Sequence, residues 1–308
     1  MRNFPHRRVR RLLIAVPLSL TVSCGAVTAA TQPEPVPPAP RIAIEPPAPS
    51  ATASAAPAPA PAPAPKPAPA PETRPIDPGV VETAVHRVEP NTTVGALVVD
   101  RQTGGTPLAI NPDRQFRSAS LVKLLIAIDA LEQGADDEDR QRLARMLAVS
   151  DDDIASSYWV LGGRPDIVVR TAARMGLTGT APPEDPGMWG EVLVTPADIV
   201  RVYQYVLAMP TADRTLIVDA LAQAPQYAGD GFDQYFGIPD GLASPWAVKQ
   251  GWGNNSSAMV LHSTGLAGPN WRYVVVLLTE HPLGSGWQTS AESVTAAAAS
   301  LHGHLPGV

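Results

Sequence analysis

After about residue 79 the chain carries two different patterns of apolar and polar positions. A short helical pattern over about 80–88 is followed by the apolar runs TVGALVVD and TPLAI, which a Gly-containing turn separates, and such a pair predicts a β-hairpin. The segment SASLVKLLIAIDALEQG then has apolar residues at helical spacing and ends at Gly134. It predicts the first long helix of the domain.

The middle of the chain keeps the helical period, and its end returns to strands. Helices are predicted at about 137–148, 153–161, 165–175, 196–208 and 211–223. The runs WAVKQGW, SAMVLHSTG and RYVVVLLTE follow as strands, before an Ala-rich helix at about 287–302. This order predicts an α/β fold of the α+β type. An antiparallel sheet from both ends of the domain would be flanked by helices, with an all-helical insert beside it.

Composition separates the first residues of the chain from this domain. Residues 1–23 combine a basic start, MRNFPHRRVRR, with an apolar run too short to cross a bilayer, which predicts a lipoprotein signal peptide. The only cysteine, Cys24, stands where such a signal places the residue that becomes lipidated. Thr21 occupies the position that usually holds leucine, so a plain secretory signal with an unpaired Cys24 is the alternative.

Residues 24–78 are mostly proline and alanine and culminate in APAPAPAPAPKPAPAPE. Such a composition favours polyproline II and cannot bury a core, so it predicts a disordered spacer after the lipidated Cys24. An inert low-complexity tail is the alternative interpretation. The globular domain is then predicted at 79–308, exported and lipid-anchored at the outer face of the cytoplasmic membrane, in the cell envelope.

Charge and motif content exclude several classes of function. The net charge is -6 and no basic stripe follows the N-terminus, which argues against nucleic acid as a partner. The histidines show no metal-ligand spacing and no Gly-rich phosphate loop follows a strand, so neither a metal nor a cofactor is predicted. A monomer acting on a polar small molecule or a peptide is expected.

The domain contains only two lysines, Lys123 and Lys249. Lys123 lies three residues after Ser120, so in a helix the two side chains share a face. Its neighbours are apolar, which predicts a buried amine that stays neutral and accepts the hydroxyl proton. A helix-capping serine followed by a solvated lysine is the alternative interpretation.

Three motifs in the right order extend this observation. They are Ser120-Leu-Val-Lys123, Ser150-Asp-Asp152 and Lys249-Gln-Gly251. The chain thereby resembles the serine β-lactamases and penicillin-binding proteins, whose motifs are Ser-x-x-Lys, Ser-Asp-Asn and Lys-Thr-Gly. The resemblance covers essentially residues 80–305 and implies a β-lactamase/DD-peptidase-like fold.

The resemblance also implies a role for each motif residue. Ser120 would be the acylated nucleophile and Lys123 the base that deprotonates it, while Ser150 would relay the proton to the leaving group. Lys249 would help to keep Lys123 neutral and would hold the substrate carboxylate. The backbone N–H groups of Ser120 and Trp252 would form the oxyanion hole.

The chain departs from the family pattern at the substrate-binding positions. Asp152 replaces an asparagine amide, and Gln250 replaces a hydroxyl residue beside Gly251. These three are predicted to bind substrate, with the Gln250 amide donating to the substrate carboxylate. The family's deacylating glutamate has no clear counterpart among the candidates Glu184, Asp185 and Glu191. A persistent acyl-enzyme and poor β-lactam hydrolysis are therefore expected.

Two functions are consistent with these residues. The first is an envelope-anchored serine hydrolase acting on β-lactam or D-alanyl-peptide-like amides, such as peptidoglycan peptides. The alternative is a catalytically silent β-lactamase-like lipoprotein that binds envelope peptides or a protein partner. Among the other polar residues, His262 is expected to be a satisfied strand histidine, and a side chain facing the cleft is the alternative.

Overall fold

A computed structural model of the protein describes residues 74–308. The predicted signal peptide, the lipidation site at Cys24 and most of the predicted spacer therefore lie outside the described residues. Ile76 is buried and its amide donates to the carbonyl of Pro107 at 2.8 Å. Ile76, three residues before the predicted start at residue 79, is thus already in contact with the domain. None of the helices after residue 73 combines the length and hydrophobicity needed to cross a bilayer.

Seven strands and nine α-helices make up the described chain. The strands are β1 (Thr93–Asp100), β2 (Leu108–Ile110), β3 (Phe116–Arg117), β4 (Leu193–Val194), β5 (Trp246–Asn254), β6 (Met259–Ala267) and β7 (Tyr273–His281). The helices are α1 (Pro78–Val88), α2 (Val122–Glu132), α3 (Asp137–Ala148), α4 (Asp152–Leu161), α5 (Pro165–Met175), α6 (Pro196–Ala208), α7 (Thr211–Ala222), α8 (Ile238–Gly241) and α9 (Trp287–Ala299).

Strands from both ends of the domain form one antiparallel sheet, as the sequence predicts. Its order is β2-β1-β7-β6-β5, so β5 is an edge strand. The pair β3 and β4 forms a separate two-stranded sheet, which the apolar pattern did not predict because each strand has only two residues. The predicted fold class is confirmed.

Each face of the sheet covers its own apolar core. Successive strand residues point to opposite faces, and along β7 Val274, Val276 and Leu278 join the core of helices α2 to α7. The alternate residues Val275 and Leu277 join the core of α1, α8 and α9. With helices on both sides, the central strands β6 and β7 are buried along nearly their whole length.

A sealed polar group lies where α1, β7 and α9 meet, and we call it the Glu89 cluster. The Glu89 carboxylate lies 2.6 Å from Nδ1 of His281 and accepts a hydrogen bond from the Ser290 hydroxyl at 2.9 Å. The Thr92 hydroxyl donates to the Glu89 carbonyl at 3.0 Å. All four residues are buried, so the cluster joins the two ends of the domain away from solvent.

The first motif begins in a turn tighter than the predicted helix. Residues Ala119–Leu121 form a 3₁₀ turn, and the α-helix starts only at Val122. Ala119 has φ of 43°, in the left-handed region that non-glycine residues rarely adopt. The turn packs on β5 at Gly251, where an added Cβ would lie 3.0 Å from the Ser118 carbonyl oxygen. Glycine is therefore what permits this close approach.

The second motif lies in the turn between α3 and α4. Ser150 also has a left-handed backbone, with φ of 56°. The next residue, Asp151, caps α4 by accepting a hydrogen bond from the Ile154 amide at 3.1 Å. The cap fixes where the helix begins, and so it directs Ser150 and Asp152 towards the turn that carries Ser120.

Candidate active site

Ser120 and Lys123 are in direct contact, as their spacing predicts. Lys123 Nζ lies 2.9 Å from Ser120 Oγ. The lysine side chain has no exposed surface and the serine is also buried. The apolar surroundings of Lys123 in the sequence therefore indicated its burial correctly. A serine hydroxyl paired with a buried amine has the geometry of an activated nucleophile.

Ser150 stands between the two lysines of the domain. Its hydroxyl accepts from Lys123 Nζ at 3.1 Å and from Lys249 Nζ at 3.0 Å. Its carbonyl also accepts from Lys123 at 2.7 Å, and Lys249 donates to the Gln250 carbonyl at 2.9 Å. The structure thus brings together the four predicted catalytic side chains in one hydrogen-bonded cluster, which we call the lysine cluster: Ser120, Lys123, Ser150 and Lys249.

Burial lowers the pKa of both amines. It lowers the pKa of Lys123, while the Asp152 carboxylate, 2.5 Å from Lys123 Nζ, opposes the shift. The pKa of Lys249 lies well below its ordinary value, first because of burial and then because Lys123 repels its charge. Two amines beside one hydroxyl therefore favour a neutral nitrogen that accepts a proton.

Asp152 is a departure from the family pattern with a clear structural consequence. It lies at the surface, with 64% of its side chain exposed, while its partner Lys123 is fully buried. A carboxylate in this position pairs with the amine and cannot donate hydrogen bonds to a substrate carbonyl, as an amide would. Its negative charge raises the pKa of Lys123 and so works against the effect of burial.

The predicted role of Gln250 in binding a substrate carboxylate is wrong. Its amide nitrogen donates to the carbonyls of Gln234 at 3.0 Å and Phe236 at 2.6 Å, and the side chain is buried. Neighbouring residues of a strand point to opposite faces. Since Lys249 and Gly251 face the turn of Ser120, Gln250 faces the other way. Strand alternation was the signal that would have shown this.

Trp252 lines the mouth of the cleft and is fixed by its neighbours. Its indole N–H donates to Asp230 at 3.1 Å, and its ring stacks on Phe232 with a centroid separation of 4.8 Å. Gly251, also predicted to bind substrate, instead brings β5 close to the turn of Ser120. The oxyanion hole from the backbone N–H groups of Ser120 and Trp252 stays a prediction.

The loop expected to carry a deacylating base presents an aromatic ring instead. The ring of Trp189 lies with its centroid 4.9 Å from Lys123 Nζ, and its indole N–H donates to Ser156 at 3.2 Å. Glu184 and Asp185 are exposed and line no part of the cleft. Glu191 does reach the cleft, but an ion pair already occupies its carboxylate.

A cavity of about 170 Å³ opens above Ser120. Among the lining residues that sequence reasoning missed are three with charged or aromatic side chains: Arg117, Trp189 and Asp230. Arg117 donates to Glu191 at 2.9 Å, and Glu191 also accepts from Asn255 at 3.1 Å. These residues are far apart in the sequence and belong to no motif, so no local pattern could have revealed them.

His262 supports the cleft from behind. Its Nε2 donates to the Arg117 carbonyl at 2.7 Å, and its Nδ1 accepts from the Thr279 amide at 3.2 Å. Burial lowers its pKa to about 4, so the ring is neutral at neutral pH. It is the satisfied strand histidine that the sequence favoured. Between residues 74 and 308, no group of three or more His, Cys, Asp or Glu side chains is placed to hold a metal ion.

Known proteins with a similar sequence were found for part of this chain. Residues 81–178 match the model of the beta-lactamase enzyme family. Proteins named as the lipoprotein LppW, from Mycobacterium tuberculosis and Mycobacterium bovis, are 38% identical over 203 residues, which is 62% of this chain. The match covers 64% of the length of these relatives. The segments SDDDIA, FGIPDGL and AVKQGW of the present sequence resemble this lipoprotein.

Solved structures share the fold at low sequence identity. A point mutant of PBP-A, in an acyl-enzyme complex with penicillin G, has a TM-score of 0.58 at 17% identity and covers 75% of this chain and 97% of its own. A β-lactamase from Sphaerobacter thermophilus has a TM-score of 0.55 at 23% identity and covers 74% of this chain and 98% of its own. An ancestral class A β-lactamase has a TM-score of 0.58 at 17% identity and covers 73% of this chain and 98% of its own. The described chain therefore has the fold of the serine β-lactamases and penicillin-binding proteins, and residues 81–178 are similar to the beta-lactamase enzyme family, as the three motifs predicted.

Proposed function

We propose that the protein is an acyl-transferring serine hydrolase whose Ser120 is acylated by an amide or ester carbonyl. The observation that carries the proposal is the contact of a buried amine, Lys123, with the Ser120 hydroxyl at 2.9 Å. Lys123 takes the hydroxyl proton as Ser120 Oγ attacks the carbonyl carbon. As the bond from that carbon to the departing group breaks, Ser150 gives its proton to the departing group and regains one from Lys123. The leaving group then carries that proton away, and the acyl group stays on Ser120.

The substrates and names of proteins with a similar fold support this chemistry and a class of substrate for it. The PBP-A mutant is an acyl-enzyme with penicillin G, and several other structures of this fold are β-lactamases. For the present chain we propose β-lactam or D-alanyl-peptide-like carbonyls as the substrate class. Trp189 covers Lys123, and the carboxylates Glu191 and Asp152 in the cleft are each paired with a cation. Since neither carboxylate is free to activate water, the acyl-enzyme persists and the chain is a poor β-lactamase.

A second function is favoured by the ion pair between Asp152 and Lys123. A carboxylate at 2.5 Å stabilises the protonated amine, and a protonated amine cannot accept the Ser120 proton. If the pair holds, the domain is catalytically silent and uses its cleft to bind envelope peptides or a partner protein. The relative strength of burial and ion pairing at Lys123 decides between the two functions.

A labelling experiment tests the proposal. The full-length protein is incubated with a fluorophosphonate and, separately, with a fluorescent penicillin, and the adduct is measured by intact mass. We expect a stoichiometric fluorophosphonate adduct that Ser120→Ala abolishes. The control is Ser157→Ala, which removes an exposed hydroxyl that bonds only to the Asp153 carbonyl of its own helix. If folded wild-type protein gains no mass from either probe, Ser120 is not a nucleophile and the catalytically silent function is favoured.

The proposed location is the outer face of the cytoplasmic membrane, with a lipid anchor at Cys24. The name of the mycobacterial relatives describes them as lipoproteins, which supports the anchor. Growth with labelled palmitate tests it, because label should appear in the wild type and disappear in Cys24→Ser. Wild-type protein without label would exclude the lipid anchor at Cys24 and leave the plain secretory signal as the interpretation.

A further inference from the structure

The residues that join α7 to α8, 224–236, lie between strand β5 and the turn between α3 and α4, and we call them the bridging segment. Their contact with β5 is made by Gln250, whose side-chain amide donates to the carbonyls of Gln234 at 3.0 Å and Phe236 at 2.6 Å. Gln250 is buried, so water does not compete for these bonds. The bridging segment is therefore fastened to the strand that also carries Lys249.

The contact with the turn is made at the end of α3. Ala148 ends this helix and Val149 follows it, and the last carbonyls of a helix have no partner within it. The side-chain amide of Gln234 donates to the Ala148 carbonyl at 3.0 Å. The backbone amide of Gly229 donates to the Val149 carbonyl at 2.7 Å. The bridging segment thus bonds to the two carbonyls that directly precede Ser150.

Ser150 needs such support because of its backbone. Its φ of 56° lies in the left-handed region, which a non-glycine residue keeps only where the surrounding structure enforces it. Asp151, which caps α4, fixes the chain after Ser150, and the bridging segment fixes the chain before it. Held in this way, the Ser150 hydroxyl lies 3.1 Å from Nζ of Lys123 and 3.0 Å from Nζ of Lys249.

Gln234 is the residue in which both contacts meet. Its carbonyl accepts from Gln250 on β5, and its side-chain amide donates to the Ala148 carbonyl and also to that of Pro225 at 2.7 Å. Only 2% of its surface is exposed, and it is not among the residues that line the cavity of the cleft. One buried residue therefore links β5 to the second motif from outside the cleft.

We propose that Gln234 is a positioning residue, which holds the Ser150 hydroxyl between Lys123 and Lys249 so that it gives its proton to the departing group. The proposal rests on the proposed acylation of Ser120 and deepens it. Gln234 contacts neither the reacting atoms nor the cavity, so it acts only through Ser150. Loss of its amide is therefore expected to slow reactions in which the departing group needs a proton, and to spare reactions in which it does not.

Two esters of phenylacetylglycine separate these reactions. In both, the bond from Ser120 Oγ to the carbonyl carbon forms and the ester C–O bond breaks. The p-nitrophenyl ester releases a stable anion, and the Ser120 proton stays on Lys123 until solvent takes it. The D-lactate ester releases an alcohol, which takes the proton of Ser150, and Ser150 regains one from Lys123. Both give the same acyl-enzyme, so the rate of adduct formation by intact mass reports acylation alone.

The full-length protein and its variants are compared with both esters. Gln234→Met keeps a side chain of similar length without a donor. It should slow the D-lactate ester about tenfold and the p-nitrophenyl ester less than about twofold. Ser150→Ala should show the same selectivity, with a loss of about 10²-fold for the D-lactate ester. In the Ser150→Ala background, Gln234→Met should add no further selectivity, because both changes act through one hydroxyl.

A second variant and a matched control complete the design. Gly229→Pro removes the amide that donates to Val149, at an exposed position, and should cause the same selective loss. It carries the test if melting curves show that Gln234→Met does not fold. Gln226→Met is the control, since it makes the same replacement at an exposed position of the bridging segment. The Gln226 side-chain amide bonds to Asp233 at 2.9 Å, and its loss should leave both rates unchanged.

The outcomes separate this inference from the function on which it rests. If folded Gln234→Met slows both esters equally or neither of them, Gln234 has only a structural role, and the acylation of Ser120 stands. A selective loss that persists in the Ser150→Ala background, or that Gln226→Met also causes, overturns the assignment in the same way. If folded wild-type protein reacts with neither ester, the acylation itself is overturned, and the inference with it.

Discussion

The lysine cluster and the Glu89 cluster are both buried and polar, but they differ in where their hydrogen bonds lead. In the Glu89 cluster the imidazole of His281 and the Ser290 hydroxyl both bond to the carboxylate, and all three residues are buried. In the lysine cluster one hydroxyl, that of Ser120, opens on a cavity. The first arrangement joins α1, β7 and α9, and the second leaves a reactive atom accessible to a ligand.

Burial lowers pKa values in both places, that of His281 in the Glu89 cluster and those of Lys123 and Lys249 in the lysine cluster. The difference lies in what the hydrogen bonds do. Those of the Glu89 carboxylate tie distant segments of the chain together, whereas those of the lysines place two amines beside a hydroxyl that opens on the cavity. We therefore expect substitutions in the first cluster to change stability and substitutions in the second to change reactivity.

The largest effect is expected at Lys123. Lys123→Ala removes the proposed base and should slow acylation by a fluorophosphonate by about 10²- to 10⁴-fold. The melting temperature should change little, because the desolvated amine is removed and its partner Asp152 is already at the surface. Rates from intact-mass time courses and melting curves on the same samples measure both. A variant that reacts at the wild-type rate would show that another group activates Ser120.

His262 predicts a pH dependence of stability. Its folded pKa of about 4 lies below the ordinary value of 6.5, so between these values the unfolded chain binds the proton more readily. The free energy of unfolding should fall as pH drops through this window, by about 3 kcal/mol when pH 4 is reached. Urea unfolding at pH 7 and pH 4.5 should show a smaller drop in His262→Gln than in the wild type. Equal drops would mean that the ring is protonated in the folded state.

Glu89→Gln tests the stability of the sealed cluster. Loss of the charge-assisted bond to His281 should lower the free energy of unfolding by about 2 kcal/mol and leave the acylation rate unchanged below the unfolding transition. Glu292→Gln, at an exposed position on α9, is the control and should stay within about 0.5 kcal/mol. Slower acylation by folded Glu89→Gln would show that the two clusters are coupled rather than independent.

The smallest effect is expected at Asp152. This carboxylate raises the pKa of Lys123, so Asp152→Asn should shift the pH profile of acylation to lower pH and increase the rate at pH 7 about threefold, solvent screening of an exposed charge limiting the gain. Asp153→Asn removes a neighbouring exposed charge and should leave the profile in place. A profile that Asp152→Asn does not move would exclude Lys123 as the titrating base.

Much of the fold and part of the cleft could be predicted from the sequence. The strands and helices followed from apolar periodicity, and the burial of Lys123 followed from its apolar neighbours because helix burial is a local property. The predicted role of Gln250 was wrong because it was taken from the family motif, without considering that neighbouring side chains of a strand point to opposite faces. Arg117, Trp189 and Asp230 escaped notice because only the packing of distant segments brings them together.

The left-handed backbones of Ala119 and Ser150 matter to anyone who wishes to make the domain more heat-resistant. Each holds a non-glycine residue where its Cβ crowds the main chain, at a cost on the order of 1 kcal/mol. Glycine would relieve that crowding at either position. A screen that selects only for thermostability would therefore favour Ala119→Gly and Ser150→Gly, and the latter removes the hydroxyl that joins the two lysines. Stabilising substitutions are better sought around α1 and α9, where they leave the cleft intact.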